Sequence, residues 1–148
     1  MNYSKSFGFK SLIALVLGMV FISMSAFADG EKITKSQAKV LKKAKAKVEK
    51  ASPDDWKTYA LAAEMCFGKK VNMKEAYEWL KKSIEIKETP LNLRIKGDYY
   101  TQNNLPEKAI DAYIKSMELV KAKDPYADFT EIQEKIAMLS KELSSYEQ

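Results

Sequence analysis

From about residue 33 onwards, apolar residues recur every three or four positions, the period of helices that each bury one face. Between about Ile33 and Ala51 the apolar side is Val40, Leu41, Ala44, Val48 and Ala51, and Thr34 or Ser36 stands where a cap is needed. Ser52-Pro53-Asp54-Asp55 then combines a capping hydroxyl, a first-turn proline and two carboxylates for the positive end of a helix dipole. A helix is expected from about Asp54 to Phe67, ending near Gly68, and after the loop Lys69 to Asn72 another from about Met73 to Lys87. The next two helices flank a turn at Asn103-Asn104, with Pro106 at the first position of the second. Asp124-Pro125 starts a last one, carrying Phe129, Ile132, Ile136, Leu139 and Leu143 on one stripe. The pattern predicts an all-α chain of about six helices.

Within these helices small and large residues follow a fixed order. Leu93, Gly97 and Tyr100 are followed by Ala109, Tyr113 and Ser116, an order that suits two antiparallel helices in close contact. Gly97 and Ala109 remove bulk where the backbones approach, and Tyr100 and Tyr113 fill the space beside them. The preceding pair lays over this one: Tyr59-Ala62-Ala63-Cys66 matches Leu93-Lys96-Gly97-Tyr100, and Ala76-Leu80-Ser83 matches Ala109-Tyr113-Ser116 at a period of 33. EAYEWLKKSIEI and KAIDAYIKSMEL align without a gap, although the first pair has one more residue in its loop.

In these residues the chain resembles the tetratricopeptide (TPR) family, whose signature is a small residue before a Tyr, then Ala and an aromatic four apart. The longer first loop, Phe67-Gly68 and Trp79 are similar to the Sel-type relatives of that family. The second copy carries the signature; the first lacks its Gly and Tyr. The resemblance covers about Ser52 to Lys123. It implies antiparallel helix pairs stacked as a short right-handed TPR-like solenoid, with a first repeat over 52–90 and a second over 91–123. The basic helix within 29–51 would pack on one end and residues 124–148 would cap the other.

The N-terminus is read apart from the fold. Lys5 and Lys10 precede the apolar run Leu12 to Phe21, and Ala26-Phe27-Ala28 offers a small-x-small cleavage site, so residues 1–28 read as a signal peptide and the mature chain starts at Asp29. An uncleaved membrane anchor is the other reading, since Ser11 to Phe27 just reaches spanning length, but Gly18, Ser23 and Ser25 weaken it. No Cys follows the run, which disfavours a lipid-modified N-terminus. The protein is expected to be exported, to the periplasm first, with secretion or membrane anchoring as alternatives. Absence of Asn-x-Ser/Thr after residue 28 fits a bacterial envelope protein. Export leaves Cys66 without a partner in its own chain: it is either a reactive or intermolecular thiol or a small apolar residue on a buried helix face, and its place in the repeat pattern favours the second.

Charge changes the picture at one place. The net charge of +5 falls to +3 without residues 1–28, and it is uneven: segment 31–50 holds eight lysines against Glu31 and Glu49, a net of +6, whereas from Ala51 onwards 15 basic and 17 acidic residues leave −2. The lysines read first as the solvated face of a packed helix, and second as a contact for an anionic envelope surface such as phospholipid or lipopolysaccharide. Nucleic-acid binding comes last, because no aromatic residue lies among them.

Catalytic chemistry finds little purchase. The chain has no His, which excludes His-based acid/base catalysis and His metal sites, and no Gly-rich phosphate loop. Asp54-Asp55 and Glu75 with Glu78 sit at helix starts or on polar faces, and Ser36 and Lys39 have Ser-x-x-Lys spacing without companion motifs. No catalytic, cofactor-binding or metal-ligating residue is assigned, and no cofactor is expected.

The resemblance implies that the first helix of each repeat lines a concave face: Lys57, Ala60, Leu61, Glu64 and Phe67, then Leu91, Arg94, Ile95, Asp98, Thr101 and Gln102. Ala60, Glu64 and Ile95 stand where relatives that clamp a C-terminal carboxylate carry Lys and Asn, so that activity is not implied. The expected function is a non-enzymatic protein-interaction scaffold of the bacterial envelope. Its protein or peptide partner would meet Lys57, Glu64, Arg94, Asp98 and Gln102, while Ala63, Ala76, Leu80, Gly97, Tyr100, Ala109 and Tyr113 pack the repeats. Arg94 is the only arginine, and its planar fork suits a carboxylate of the partner. Against this stands pairing of these charges with each other, Arg94 with Asp98 one turn along above all. The alternative function is binding to an anionic envelope surface through the lysine-rich helix; nucleic acid is not an expected partner.

Overall fold

The structure is a computed structural model that describes residues 33–146, the side chain of Tyr146 excepted. The expected signal peptide and its cleavage point lie outside the described residues. Among those described there are six helices and no strand: α1 (Lys35–Glu49), α2 (Trp56–Phe67), α3 (Met73–Ile86), α4 (Pro90–Gln102), α5 (Pro106–Lys121) and α6 (Thr130–Tyr146). None of them is long and apolar enough to cross a membrane.

Local chemistry sets most of the boundaries. Thr34 caps α1 in a reciprocal box, its hydroxyl accepting from Gln37 N–H at 3.1 Å while Gln37 Oε1 accepts from Thr34 N–H at 2.8 Å. Thr89 and Asn92 repeat the device at α4, where Pro90 fills the first turn. Before α3, Asn72 adopts the left-handed conformation (φ 53°), and its Nδ2 donates to Glu75 at 2.5 Å. Lys45 of α1 reaches the same carboxylate at 2.8 Å.

Two starts differ from the expectation. Asp55 caps α2, not Ser52: its carboxylate accepts from Thr58 N–H at 3.0 Å, and hydrogen bonds from Thr58 hold it below the usual carboxylate range. Ser52 donates instead to Asp54 (2.7 Å) within the preceding turn, so the helix begins at Trp56. A carboxylate facing a helix start gains from the dipole as well as the hydrogen bond, and it outcompetes the hydroxyl. The last helix starts at Thr130 rather than at Asp124-Pro125. Asp124 accepts from Tyr126 N–H two residues on (3.0 Å), a side-chain-closed turn that reverses the chain after α5, and Asp128 takes both the N–H and the hydroxyl of Thr130.

The helices pack in chain order: α1 on α2, α2 on α3, α4 on α5 and α5 on α6, with α4 also meeting α2 and α3. Short turns after α2 and α4 make each following helix an antiparallel neighbour. Ala60, Ala62, Ala63, Cys66 and Ala76 have no exposed surface, so α2 and α3 approach closely and Leu80 fills the space beside them. Burial also raises the Cys66 thiol above its ordinary pKa, with Glu75 adding to the effect. Rings fill the joint between the pairs: Tyr77 stacks on Tyr99 (4.4 Å between centroids), Phe67 lies 4.9 Å from Tyr99, and the Tyr77 and Tyr100 hydroxyls are 3.2 Å apart. Buried Asn92 donates to Ser83 Oγ (3.0 Å) and to the Lys87 carbonyl (2.8 Å), and Ser116 donates to the Pro90 carbonyl (2.8 Å). The two serines at matching positions thus both face the start of α4.

Gly97 is in close contact with the Tyr113 ring, which was expected to fill the space beside it. A Cβ built there would lie 2.8 Å from Tyr113 Cζ and nearer still to Cδ1 and Cε1, so the tyrosine ring occupies the space the glycine leaves. Ala109 is fully buried in the smaller core with Tyr113 and Leu139. Tyr100 packs against that cluster from its edge, and the bulk-free contact belongs to Gly97 and Tyr113.

Alanine is the better helix former by about 1 kcal/mol, yet Gly97→Ala is expected to destabilise the protein by about 1–3 kcal/mol through overpacking. Urea unfolding of the two proteins measures the difference, and equal midpoints would refute the contact.

Candidate functional site

The surface richest in sequence-predicted residues is a groove of about 430 Å3 between α2, α4 and α6. Helical spacing aims each contribution. Glu64 and Phe67 come from the last turn and a half of α2; Ile95, Asp98 and Gln102 follow each other at spacings of three and four on α4 with Thr101 beside them, and Met138 and Leu139 lie three and four residues after Lys135 on α6, with Glu142 a further turn along. Phe67, Ile95, Leu139 and the Tyr113 ring form an apolar floor, each less than a tenth exposed. Met138 stands at the lip with 73% of its surface in solvent, a large apolar side chain with nothing of the described residues over it.

A charge relay runs beneath the groove. Arg94 donates from Nη2 to Glu64 on α2 (2.5 Å) and from Nη1 to Asp98 one turn along (2.6 Å). Asp98 also accepts from the Tyr113 hydroxyl of α5 (2.7 Å) and from Lys135 Nζ of α6 (3.0 Å), and Lys135 pairs further with Glu131 (3.1 Å). Thr101 completes it, donating to the Gly97 carbonyl (3.0 Å) with its Oγ1 3.3 Å from the Tyr113 hydroxyl. Burial raises the Tyr113 phenol, and the hydrogen bond to Asp98 adds to that despite an opposing one from Thr101. Burial works against the Arg94 and Lys135 cations, but their carboxylate partners outweigh it and both are raised. No buried side-chain nitrogen or oxygen among the described residues lacks a partner.

Glu64, Arg94 and Asp98 are therefore brought together as expected, but with one another. Both arms of the Arg94 guanidinium are engaged within the chain, the arrangement that stood as the alternative to holding a partner's carboxylate. Gln102 lies on the groove, exposed. Lys57 does not: it is in the first turn of α2, roughly 10 Å along the helix from Glu64 and outside the groove lining. Ala60, expected on the open face, is fully buried. The α6 contribution was not foreseen. Its stripe of Ile132, Ile136 and Leu139 reads from spacing, but Lys135 and Met138 stand one step round the helix, where the pattern reads as a polar back. Among the described residues no group of His, Cys, Asp or Glu is arranged to hold a metal ion.

No protein-family model, curated protein or solved structure matches the chain.

Two outcomes test the relay. Asp98→Ala removes the shared acceptor of three donors and is expected to cost on the order of 1–3 kcal/mol, while Glu64→Ala, at a more open pair, costs under about 1 kcal/mol; urea unfolding ranks them. The Tyr113 and Tyr77 phenols are both raised in the fold, mainly by burial. Their protonated forms favour the folded state, so this stability is present below the ordinary phenol pKa of about 10 and is lost as pH rises beyond it. Thermal melts of wild type and Tyr113→Phe between neutral pH and about pH 11 are expected to diverge least at the alkaline end.

Proposed function

We propose that this protein is a non-enzymatic, TPR-like interaction module that is exported and works in the bacterial envelope. The carrying observation is the apolar-floored groove between α2, α4 and α6 with exposed Met138 at its lip. A concave apolar surface edged by fixed polar groups is the form in which a protein holds an extended or helical peptide. The pairing of α2 with α3 and α4 with α5, together with the Leu93 to Ser116 signature, supports a short row of repeats whose first helices face that groove. The final helix then supplies a third wall in addition to covering the last pair.

The partner follows from the groove's chemistry. Carboxylates of Glu64, Asp98, Glu131 and Glu142 outnumber the cations Arg94 and Lys135 around it. A segment offering an apolar anchor for the Phe67, Ile95 and Leu139 floor, with lysine or arginine beside the anchor, matches both features. Arg94 serves as a strut in this reading and not as a recognition residue.

Selection from a library of envelope-protein fragments, followed by titration of the selected peptide, tests the proposal. Met138→Glu is expected to weaken binding at least about tenfold, a loss typical of a groove contact, without lowering the melting temperature, because Met138 is largely exposed. A peptide that binds the variant as well as the wild type would remove the groove from the function. Export is checked separately: sequencing the N-terminus of the envelope-fraction protein is expected to return Asp29, and a chain beginning at Met1 would refute cleavage.

A further inference from the structure

We infer that the outward face of α1 is a docking surface for an anionic phospholipid bilayer, used without insertion into it. All seven lysines from Lys35 to Lys50 are exposed, and among the described residues only Lys45 is ion-paired, to Glu75. The other six, Lys35, Lys39, Lys42, Lys43, Lys47 and Lys50, recur at helical spacings of three and four and share one side of the helix over roughly 22 Å. No aromatic residue interrupts them. On a mildly acidic body, a one-signed stripe of this length is a directed feature and not an average of the surface.

The arrangement selects among anionic partners. The lysines are strung along the helix instead of converging on a point, which fits an extended array of phosphates and not a single small anion. Single-stranded nucleic acid is held by stacked aromatics, and this face has none. The mode is also constrained. An amphipathic helix that enters a bilayer does so with its apolar face, but in α1 that face is taken: Ala44 is fully buried, and Val40, Leu41 and Val48 pack against the core with α2. Attachment is therefore electrostatic alone, reversible by salt, and leaves the fold unchanged. The groove is built from α2, α4 and α6, so a bound surface and a bound peptide do not compete.

The test is flotation of the mature chain from Asp29, which lacks the apolar run, with phosphatidylcholine vesicles, with and without phosphatidylglycerol, at about 0.05 M and 0.5 M salt. Binding that needs phosphatidylglycerol and falls at least tenfold at the higher salt is expected. Each lysine near the surface contributes about fivefold, so Lys42→Gln with Lys43→Gln is expected to weaken binding by more than tenfold, whereas the same pair changed to Arg retains it. These side chains are exposed, and unchanged melting curves verify the fold. Met138→Glu should leave vesicle binding intact, which separates failure here from failure of the groove. Equal attachment to neutral vesicles, indifference to salt, or wild-type binding by the Gln variant would each overturn the inference. Stronger binding to duplex DNA than to anionic vesicles at equal phosphate and salt would overturn it in favour of nucleic acid.

Discussion

The ring of Tyr113 occupies the space that Gly97 leaves empty, and the rest of the groove follows from that one close approach. With any larger residue at 97 the ring would stand off from α4. Because it does not, its hydroxyl reaches Asp98 and Thr101 and fixes the Asp98 carboxylate as an acceptor. Asp98 in turn holds Arg94, which reaches back to Glu64 on α2, and Lys135, which reaches forward into α6. A steric fact within one helix pair thereby becomes an electrostatic link across four helices.

That link also explains why four charged residues near an apolar floor do not dissolve it. Each is roughly a quarter to two-fifths exposed, so none bears the full cost of leaving water, and each finds an opposite charge. Paired in this way they set the groove's walls without presenting an unbalanced charge at its floor. The lysines of α1 are the opposite case. Apart from Lys45 they have no such partners among the described residues, and charge of that kind acts at a distance on whatever approaches.

The helices were legible because local signals carried them: apolar spacing, Pro106 in a first turn and Thr34 ahead of a suitable partner. Errors arose where two local signals competed. Ser52 and Asp55 both offer a cap and only one position lets the carboxylate face the helix; Asp124-Pro125 reads as a start, but Asp124 closes the turn that reverses the chain after α5 and Asp128 takes the place before the helix. The site was half legible. Glu64, Asp98 and Gln102 follow from helical register, but Arg94 could be assigned only by knowing that α2 lies within reach of its other arm. Lys135 and Met138 depend on how α6 is rotated about its axis, which no local pattern specifies. The described residues are all-helical, as the apolar spacing predicts.

The order of packing has a bearing on how the chain reaches this state. Every extensively packed helix pair is adjacent or next-but-one in sequence, so native contacts close over short loops and little chain entropy is given up before they form. Such a topology folds quickly and has no single obligatory beginning: either inner hairpin can assemble first and template its neighbour. It also opens from its ends. α6, which packs extensively on α5 alone and sends Lys135 across to Asp98, is the more lightly held of the two end helices, so the wall of the groove bearing Met138 is also the part most ready to move aside.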